Sequence, residues 1–165
     1  MSPDRPRSTS VGSIRRATLT DAPGILACLH EAFEPYRSSY TSEAFAHTVL
    51  TADSARDRLA SMIVLVAVDS SGRILGTVGF HPVSPSECHL RGMAVLTEMQ
   101  GTGLAGRLLR QAMAEIAGLG YTRVSLGATE PLERAVRFYQ RNGFRRSGKV
   151  TDFFGMRLRE YLCDV

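Results

Sequence analysis

Long apolar runs are absent from this sequence of 165 residues. No stretch approaches the ~20 apolar residues that a membrane-spanning helix needs. The first residues, MSPDRPRSTSVGS, also lack the apolar centre of a secretory signal, and their proline, serine and arginine content is typical of a mobile tail. We therefore expect no membrane partner, no secretion signal and a mobile segment over residues 1–13.

Paired cysteines are missing as well. Cys28, Cys88 and Cys163 stand far apart in the sequence and form no CxxC motif. An odd and scattered set argues against a disulfide framework and against a zinc site, so we expect no metal. Free thiols suit a reducing compartment, and we expect a cytoplasmic protein.

Basic runs interleaved with aromatic residues, which are typical of nucleic-acid surfaces, do not occur in the sequence. The formal net charge is +4, and the arginines are spread along the chain. This modest excess fits an anionic small ligand better than a polynucleotide. We therefore expect no nucleic-acid partner.

What is present indicates one packed domain. Hydrophobic residues make up 44% of the chain and charged residues 22%, which are ordinary values for a packed globular protein. The length suits a single domain, and no internal repeat divides it. We expect that domain to span residues 14–165, after the tail.

Runs of β-forming residues and helical periodicities alternate along the chain. Residues 62–68 and 74–83 flank the turn sequence DSSG, which predicts a hairpin. The sequence CHLRGMAVL predicts another strand. Apolar residues recur at helical spacing after Asp21, a candidate N-cap, and again after Leu104. A further strand, a helix and one or two closing strands follow, so we predict a mixed sheet with helices packed against it.

The segment QGTGLAG at residues 100–106 lies between a predicted strand and a predicted helix. The first N–H groups of a helix lack intrahelical partners and lie at the positive end of the helix dipole, so they attract anions. Gly101, Gly103 and the small Ala105 would let a phosphate approach the main chain. The pattern therefore fits a phosphate-binding loop, and a plain strand–helix turn is the structural alternative.

Two other phosphate-binding motifs fit this segment less well. A P-loop ends in Gly-Lys-Ser/Thr, whereas this segment ends in Ala-Gly-Arg. The spacing Gly101-x-Gly103-x-x-Gly106 matches a dinucleotide fingerprint. However, it follows a hairpin, and the next predicted strand lacks the acidic residue that such a site requires.

Two motifs taken together resemble the GNAT superfamily of N-acetyltransferases. Its acetyl-coenzyme A loop has the pattern [R/Q]-x-x-G-x-[G/A], which is matched here by Gln100, Gly103 and Ala105. A later helix of the family has the pattern A-x-x-[F/L]-Y-x-x-x-G-[F/Y], which is matched by Ala135, Phe138, Tyr139, Gly143 and Phe144. The likeness extends over residues 14–162, and its specific part is residues 90–144.

The resemblance implies an α/β (α+β) fold, with a mixed, mostly antiparallel sheet of about six to seven strands flanked by about four helices. It also implies acetyl-coenzyme A as the acyl donor, with its diphosphate on the loop amides and its pantetheine added along the preceding strand. Leu132 stands where many members have an asparagine that helps to hold pantetheine. The implied donor-binding residues are Met93, Ala94, Val95, Gln100, Gly101, Thr102, Gly103, Leu104, Ala105 and Phe138.

Direct acetyl transfer to an amine needs a base for the amine and an acid for the departing thiolate. The resemblance makes Tyr139 the expected acid, although helical periodicity alone would place it among core residues. His89 stands where many members have a carboxylate, and Glu87 lies one step further along the same strand face. Both therefore stay candidates for the base, directly or through water.

The acceptor site is expected in the least regular region, HEAFEPYRSSY. Carboxylates there would attract a cationic amine, and an arginine would attract a carboxylate, although a solvated loop is the alternative. The candidate residues are Glu31, Glu34, Tyr36, Arg37 and Tyr40.

Two functions stay open on the sequence. The first is an acetyl-CoA-dependent N-acetyltransferase that acts on a primary amine of a small molecule or peptide. The second is a non-catalytic acetyl-CoA or CoA-binding module that serves as a sensor or partner protein. Many members of the superfamily pair through sheet edges, so the resemblance is also compatible with a homodimer.

Overall fold

The computed structural model describes residues 10–165. The tail expected over residues 1–13 therefore lies mostly outside the described residues. The backbone N–H of Gly12 donates to Val68 O at 2.7 Å, and the first strand begins at Ser13. The sheet thus begins one residue before the expected domain boundary at Ile14.

Within residues 10–165, seven strands form one sheet, as the resemblance implied. Their order across the sheet is β1-β2-β3-β4-β5-β7-β6, and all neighbours are antiparallel except β4 and β5. The strands are β1 (Ser13–Arg16), β2 (Ile63–Val68), β3 (Ile74–Pro82), β4 (Glu87–Val95), β5 (Arg123–Thr129), β6 (Arg145–Phe153) and β7 (Met156–Asp164).

The described part of the chain has five α-helices beside the sheet, one more than the four or so expected. The additional helix arises because the polar segment after Tyr40 contains two short helices, begun by Thr41 and Thr51. The hydroxyl of each threonine accepts a hydrogen bond from the backbone three residues on. None of the helices within residues 10–165 is long and apolar enough to cross a membrane. The helices are α1 (Ala22–Phe33), α2 (Ser42–Val49), α3 (Ala52–Ser61), α4 (Leu104–Gly118) and α5 (Glu133–Arg141).

Helices cover both faces of the central strands. A Cβ placed on Gly76 of β3 would lie 2.8 Å from Leu108 of α4. Thr77, the next residue, lines a small apolar cavity with Ile25 and Leu29 of α1. Successive strand residues point to opposite faces, so α1 and α4 pack on opposite sides of the sheet. This explains why the run in β2 is almost wholly apolar.

The hairpin of β6 and β7 reaches back to the start of α2. Its turn contains Phe154 and Gly155, both with positive φ. The Thr41 hydroxyl donates to Phe154 O at 2.7 Å, and the His47 ring stacks on the Phe154 ring with centroids 3.9 Å apart. The last hairpin is thereby fixed to an early helix.

Asp21 does not cap α1 with its side chain, contrary to the sequence expectation. Its carboxylate instead closes the preceding turn by accepting from Thr18 N at 2.8 Å. It also accepts two hydrogen bonds from the Arg15 guanidinium, at 2.8 and 2.9 Å. The hydrogen bonds from Arg15 lower the pKa of Asp21 below its ordinary value.

We expect Asp21→Asn to lower the free energy of unfolding at pH 7 by about 1–2 kcal/mol, because a neutral amide replaces a carboxylate that accepts these bonds. Since the folded pKa is depressed, this contribution is present above the ordinary pKa of 3.8 and is lost as the pH falls below it. Urea unfolding at pH 7 and pH 3 measures both effects. Asp53→Asn, which removes an exposed ion pair with Arg56, is the matched control and should change stability by less than about 0.5 kcal/mol.

Candidate active site

A cleft opens where β4 and β5 part. The two parallel strands pair only at Glu87–Arg123, Cys88–Val124 and His89–Ser125. Beyond His89, β4 stays paired with β3, and β5 stays paired with β7. The parting leaves a cavity of about 310 Å³, lined by residues of both strands and of neighbouring helices.

A bulge in β4 lies beside this cleft. The pairing with β3 shifts between Thr77 and Gly79, opposite Gly92, whose φ is +65°. The edge of β4 that faces the cleft has no strand partner beyond His89. An extended chain with amide groups can add to such an edge. Pantetheine is a chain of this kind, so the edge fits the donor.

The expected donor strand, residues 93–95, lies along this edge. Met93 is half-buried and lines the cleft. Ala94 is buried opposite Thr77 of β3, and Val95 is half-buried opposite Gly76. Of the three, only Met93 is among the residues that line the cleft, and the other two continue the same strand beyond it.

The glycine loop forms the transition from β4 to α4. Gly101 and Gly103 have φ of +78° and +85°, and nothing lies within 4 Å of a Cβ added to either. Thr102 is exposed, and its hydroxyl donates to Met99 O. Leu104 is buried and begins α4, and Ala105 is half-buried in its first turn. The loop exposes backbone at the positive end of a 15-residue helix, which is the geometry of an anion site.

Gln100 is bound by α5, a contact that no sequence motif indicates. Its Oε1 accepts from Arg134 Nη1 at 2.7 Å, across 34 residues of chain. The contact fixes the start of the glycine loop to the helix that carries Tyr139. Arg134 is therefore an additional cation beside the loop.

Tyr139 lies at the bottom of the cleft. It is 8% exposed, and its ring packs on Phe138 and Phe144 with centroids 5.4 and 5.8 Å away. Tyr139 lines the cleft, and its hydroxyl has no hydrogen-bond partner within residues 10–165. Burial raises the pKa of Tyr139 well above its ordinary value, so the phenol is protonated at neutral pH. Phe138 is half-buried and does not line the cleft.

His89 lies where the two strands part. Its Nδ1 is 2.9 Å from the hydroxyl of Ser125, which is buried on β5. Burial, with the neighbouring charges of His81 and Arg91, lowers the pKa of His89 to about 4. The imidazole is therefore neutral at pH 7 and has a nitrogen lone pair available.

Glu87 is placed apart from the cleft. It lies at the closed end of the β4–β5 pairing, and its carboxylate is 3.7 Å from Arg123 Nη1. It is not among the residues that line the cleft. The structure therefore brings together His89 and Tyr139 but not Glu87.

The expected acceptor residues divide between two surfaces. Tyr40 lines the cleft, where its hydroxyl is 2.6 Å from Thr129 Oγ1. Glu31 and Glu34 line a separate open depression beside α1. Glu34 is paired with Arg37 at 2.9 Å, so these charges already satisfy each other. These carboxylates do not line the cleft, so a role for them in attracting the acceptor stays a prediction without support from its geometry.

Tyr36, another expected acceptor residue, does not line the cleft but contacts the ring of Phe33. Three residues that line the cleft were missed. The first is Phe33. Arg58 of α3 and Arg91 of β4 also line it. Neither arginine belongs to a motif, and only the folded arrangement brings α3 to β4.

A mixed sheet with two parted parallel strands, an unpaired edge and an anion-binding loop defines a protein that binds an acyl–pantetheine thioester. The model of the Acetyltransferase (GNAT) family matches residues 25–144. The chain is 30% identical over 139 residues to the N-acetyltransferase YjgM of Escherichia coli, covering 79% of this chain and 80% of that protein. It is also 34% identical over 84 residues to an N-acetyltransferase of Schizosaccharomyces pombe, covering 50% and 52%.

Solved structures show the same fold. The PaiA N-acetyltransferase of Thermoplasma acidophilum, solved with coenzyme A, has a TM-score of 0.75 at 16% identity, covering 90% of this chain and 96% of that chain. A GNAT acetyltransferase of Elizabethkingia anophelis with acetyl-CoA bound has a TM-score of 0.66 at 16% identity, covering 93% and 97%. The chain belongs to the Acetyltransferase (GNAT) family and is an acetyl-CoA-dependent acyltransferase.

We expect Gly103→Val to weaken coenzyme A binding by about tenfold or more, because a branched side chain would disfavour the positive φ and cover the loop amides. Gly120→Val is the matched control, since Gly120 also has positive φ and open surroundings but lies beyond α4. Both variants should lose similar stability, and only the first should lose affinity. Calorimetric titration with coenzyme A and thermal unfolding give the two readouts. Undiminished affinity in a folded Gly103→Val protein would place the diphosphate elsewhere.

Proposed function

We propose that this protein transfers acetyl from acetyl-CoA directly to a primary amine, with His89 as the base and Tyr139 as the acid. The observation that carries the proposal is that His89, with a neutral imidazole, and Tyr139, whose hydroxyl has no partner within residues 10–165, line one cleft along the edge of β4 that β5 leaves open. When bound, acetyl-CoA supplies the acetyl thioester that the amine attacks.

Positioning accounts for most of the proposed rate enhancement. An ammonium group with a pKa of ~10.4 costs about 4–5 kcal/mol to deprotonate at pH 7. Holding two reactants in attack geometry contributes about 7–11 kcal/mol. The 4–5 kcal/mol thus covers entry of the neutral amine, and His89 has only to accept the proton that the amine nitrogen loses as it attacks, directly or through water.

The contact with Ser125 gives His89 a defined role. In our proposal Nδ1–H donates to the Ser125 hydroxyl, so Nε2 holds the lone pair that accepts the proton of the amine. Ser125 is buried on a strand that is paired along its length with β7, so the ring is held in place. Glu87 is not assigned this role because its ion pair lies outside the cleft.

The raised pKa of Tyr139 suits an acid. A phenol that stays protonated in a dry site can donate to the thiolate as it departs. Its hydroxyl has no competing acceptor within the described chain, so it is available for this donation. The donor chain would lie along Met93 to Val95, with the diphosphate at the loop from Gln100 to Ala105.

We expect His89→Gln to lower kcat by about 10²-fold or more with little change in the KM for acetyl-CoA. His81→Gln is the matched control, because His81 lies 5.7 Å from His89 but does not line the cleft. Because the pKa of His89 is about 4 rather than 6.5, the rate of the native enzyme should follow the neutral fraction of the amine with no additional break near pH 6.5, and the further loss caused by protonation of His89 should appear only as the pH approaches 4. Release of free coenzyme A, followed from pH 4 to 9, measures this. Equal effects of the two substitutions would refute the base assignment.

Tyr139→Phe should lower kcat by about 10²-fold while coenzyme A affinity stays unchanged, because the ring packing is kept and only the donor is lost. Tyr161→Phe is the control, since Tyr161 is buried on β7 away from the cleft. Binding of acetyl-CoA without acetylation of any amine in a broad panel would instead support a non-catalytic binding module.

A further inference from the structure

Arg58 and Arg91 give the cleft a positive charge that this part of the chain leaves unbalanced. No aspartate or glutamate is among the residues of 10–165 that line the cleft. The ion pairs found within those residues include neither arginine. The protein thus presents two guanidinium groups beside a neutral histidine, without a carboxylate to pair with them.

Gly92 creates the space that Arg58 occupies. A Cβ at position 92 would lie 2.5 Å from Arg58 Nη1, so any other residue would displace the guanidinium. The same side chain borders the small apolar cavity that Ile25 and Leu29 also line. The head group is therefore held against β4, at the bulge that borders the cleft.

The guanidinium of Arg58 has no ion-pair partner within residues 10–165, and this raises the free energy of the ligand-free protein. Burial, together with the charge of Arg91, lowers the pKa of Arg58 to about 10, so the group is still charged at pH 7. Arg58 is half-buried, and a partly desolvated charge without a counter-ion is unfavourable, so an anion that enters the cleft would offset that cost. The arrangement thus favours an anionic ligand in the cleft.

We propose that the acceptor carries an anionic group, which we assign as a carboxylate, and that Arg58 and Arg91 bind it while the amine faces His89. The inference rests on the proposed function and specifies its acceptor. Arg91 and His89 are two residues apart on β4, a separation of about 7 Å, so one small molecule can reach both. A carboxylate accepts two parallel hydrogen bonds from a guanidinium.

The size of the cleft restricts the acceptor further. Its volume of about 310 Å³ is at the lower end of ligand sites, which span roughly 300–1,000 Å³, and the thioester end of the donor shares it. The ring of Phe33 and the side chains of Phe153 and Leu158 also line it. A free amino acid, or an amino carboxylate of similar size, fits this space better than a peptide does.

Matched acceptors test the assignment on the native enzyme. The panel consists of α-amino acids, their carboxamides, the amines that lack the acidic group, and aminophosphonates of the same length. We expect kcat/KM for the α-amino acid to exceed that for its carboxamide by about tenfold or more, because only the carboxylate forms a charge-assisted hydrogen bond with a guanidinium group. A preference for the aminophosphonate would overturn the carboxylate assignment, and no preference for acids would overturn the whole inference.

Substitution of the arginines tests their role. Arg58→Met keeps the apolar stem, and Arg91→Gln changes an exposed strand residue. Each should reduce the carboxylate-to-carboxamide ratio of kcat/KM by about tenfold, without changing the KM for acetyl-CoA. Arg56→Gln, on the same helix but paired with Asp53 away from the cleft, is the control and should keep the ratio.

The outcomes separate this inference from the proposed function. If no amine of the panel is acetylated although acetyl-CoA binds, the proposed function is wrong. If amines are acetylated with no advantage for acids, only the acceptor inference is wrong. If the arginine variants raise the KM for acetyl-CoA and leave the acceptor ratio unchanged, these residues serve the donor and the inference is refuted.

Discussion

The site depends on the parting of two parallel strands after only three paired positions. Backbone N–H and C=O groups in a sheet are normally satisfied by the next strand, and leaving them unpaired away from water is costly. Here the edge of β4 beyond His89 is left open by its neighbour, while β5 keeps β7 on its other side. A substrate with an amide-containing arm can supply the missing hydrogen bonds, so recognition of the donor follows from backbone geometry.

The electrostatics of the cleft follow from the same opening. Side chains at its apex are partly removed from water, which lowers the pKa of His89 and raises that of Tyr139, so both groups are neutral at pH 7. Arg58, held in place by the bare backbone of Gly92, stays charged. The neutral proton-transfer groups of His89 and Tyr139 thus lie in the same cleft as the fixed positive charge of Arg58. One part of the cleft is suited to the reaction and another to binding an anionic group of the substrate.

Much of the fold could be predicted from the sequence, because local sequence patterns indicate the same strands and helices that the structure contains. The apolar run of β2, the turn DSSG and the glycine segment before α4 each predicted their element, and the motif around Tyr139 predicted its helix. The second short helix after Tyr40 was missed, since its sequence is polar and weakly periodic.

Periodicity predicted that Tyr139 is buried, and the motif placed it at the cleft. Both descriptions hold, because Tyr139 is a buried residue that also lines a cavity.

Arg58 and Arg134 were not predicted, because their contacts join segments more than 30 residues apart and leave no local pattern.

The contact between Thr41 and Phe154 has a consequence for the order of events during synthesis. It joins residues 113 positions apart, so the part of the cleft that Phe153 and Leu158 line can form only after the β6–β7 hairpin has been synthesised. The segment matched by the family ends at residue 144, ahead of that hairpin. A nascent chain therefore contains the glycine loop before the residues that line the opposite side of the cleft.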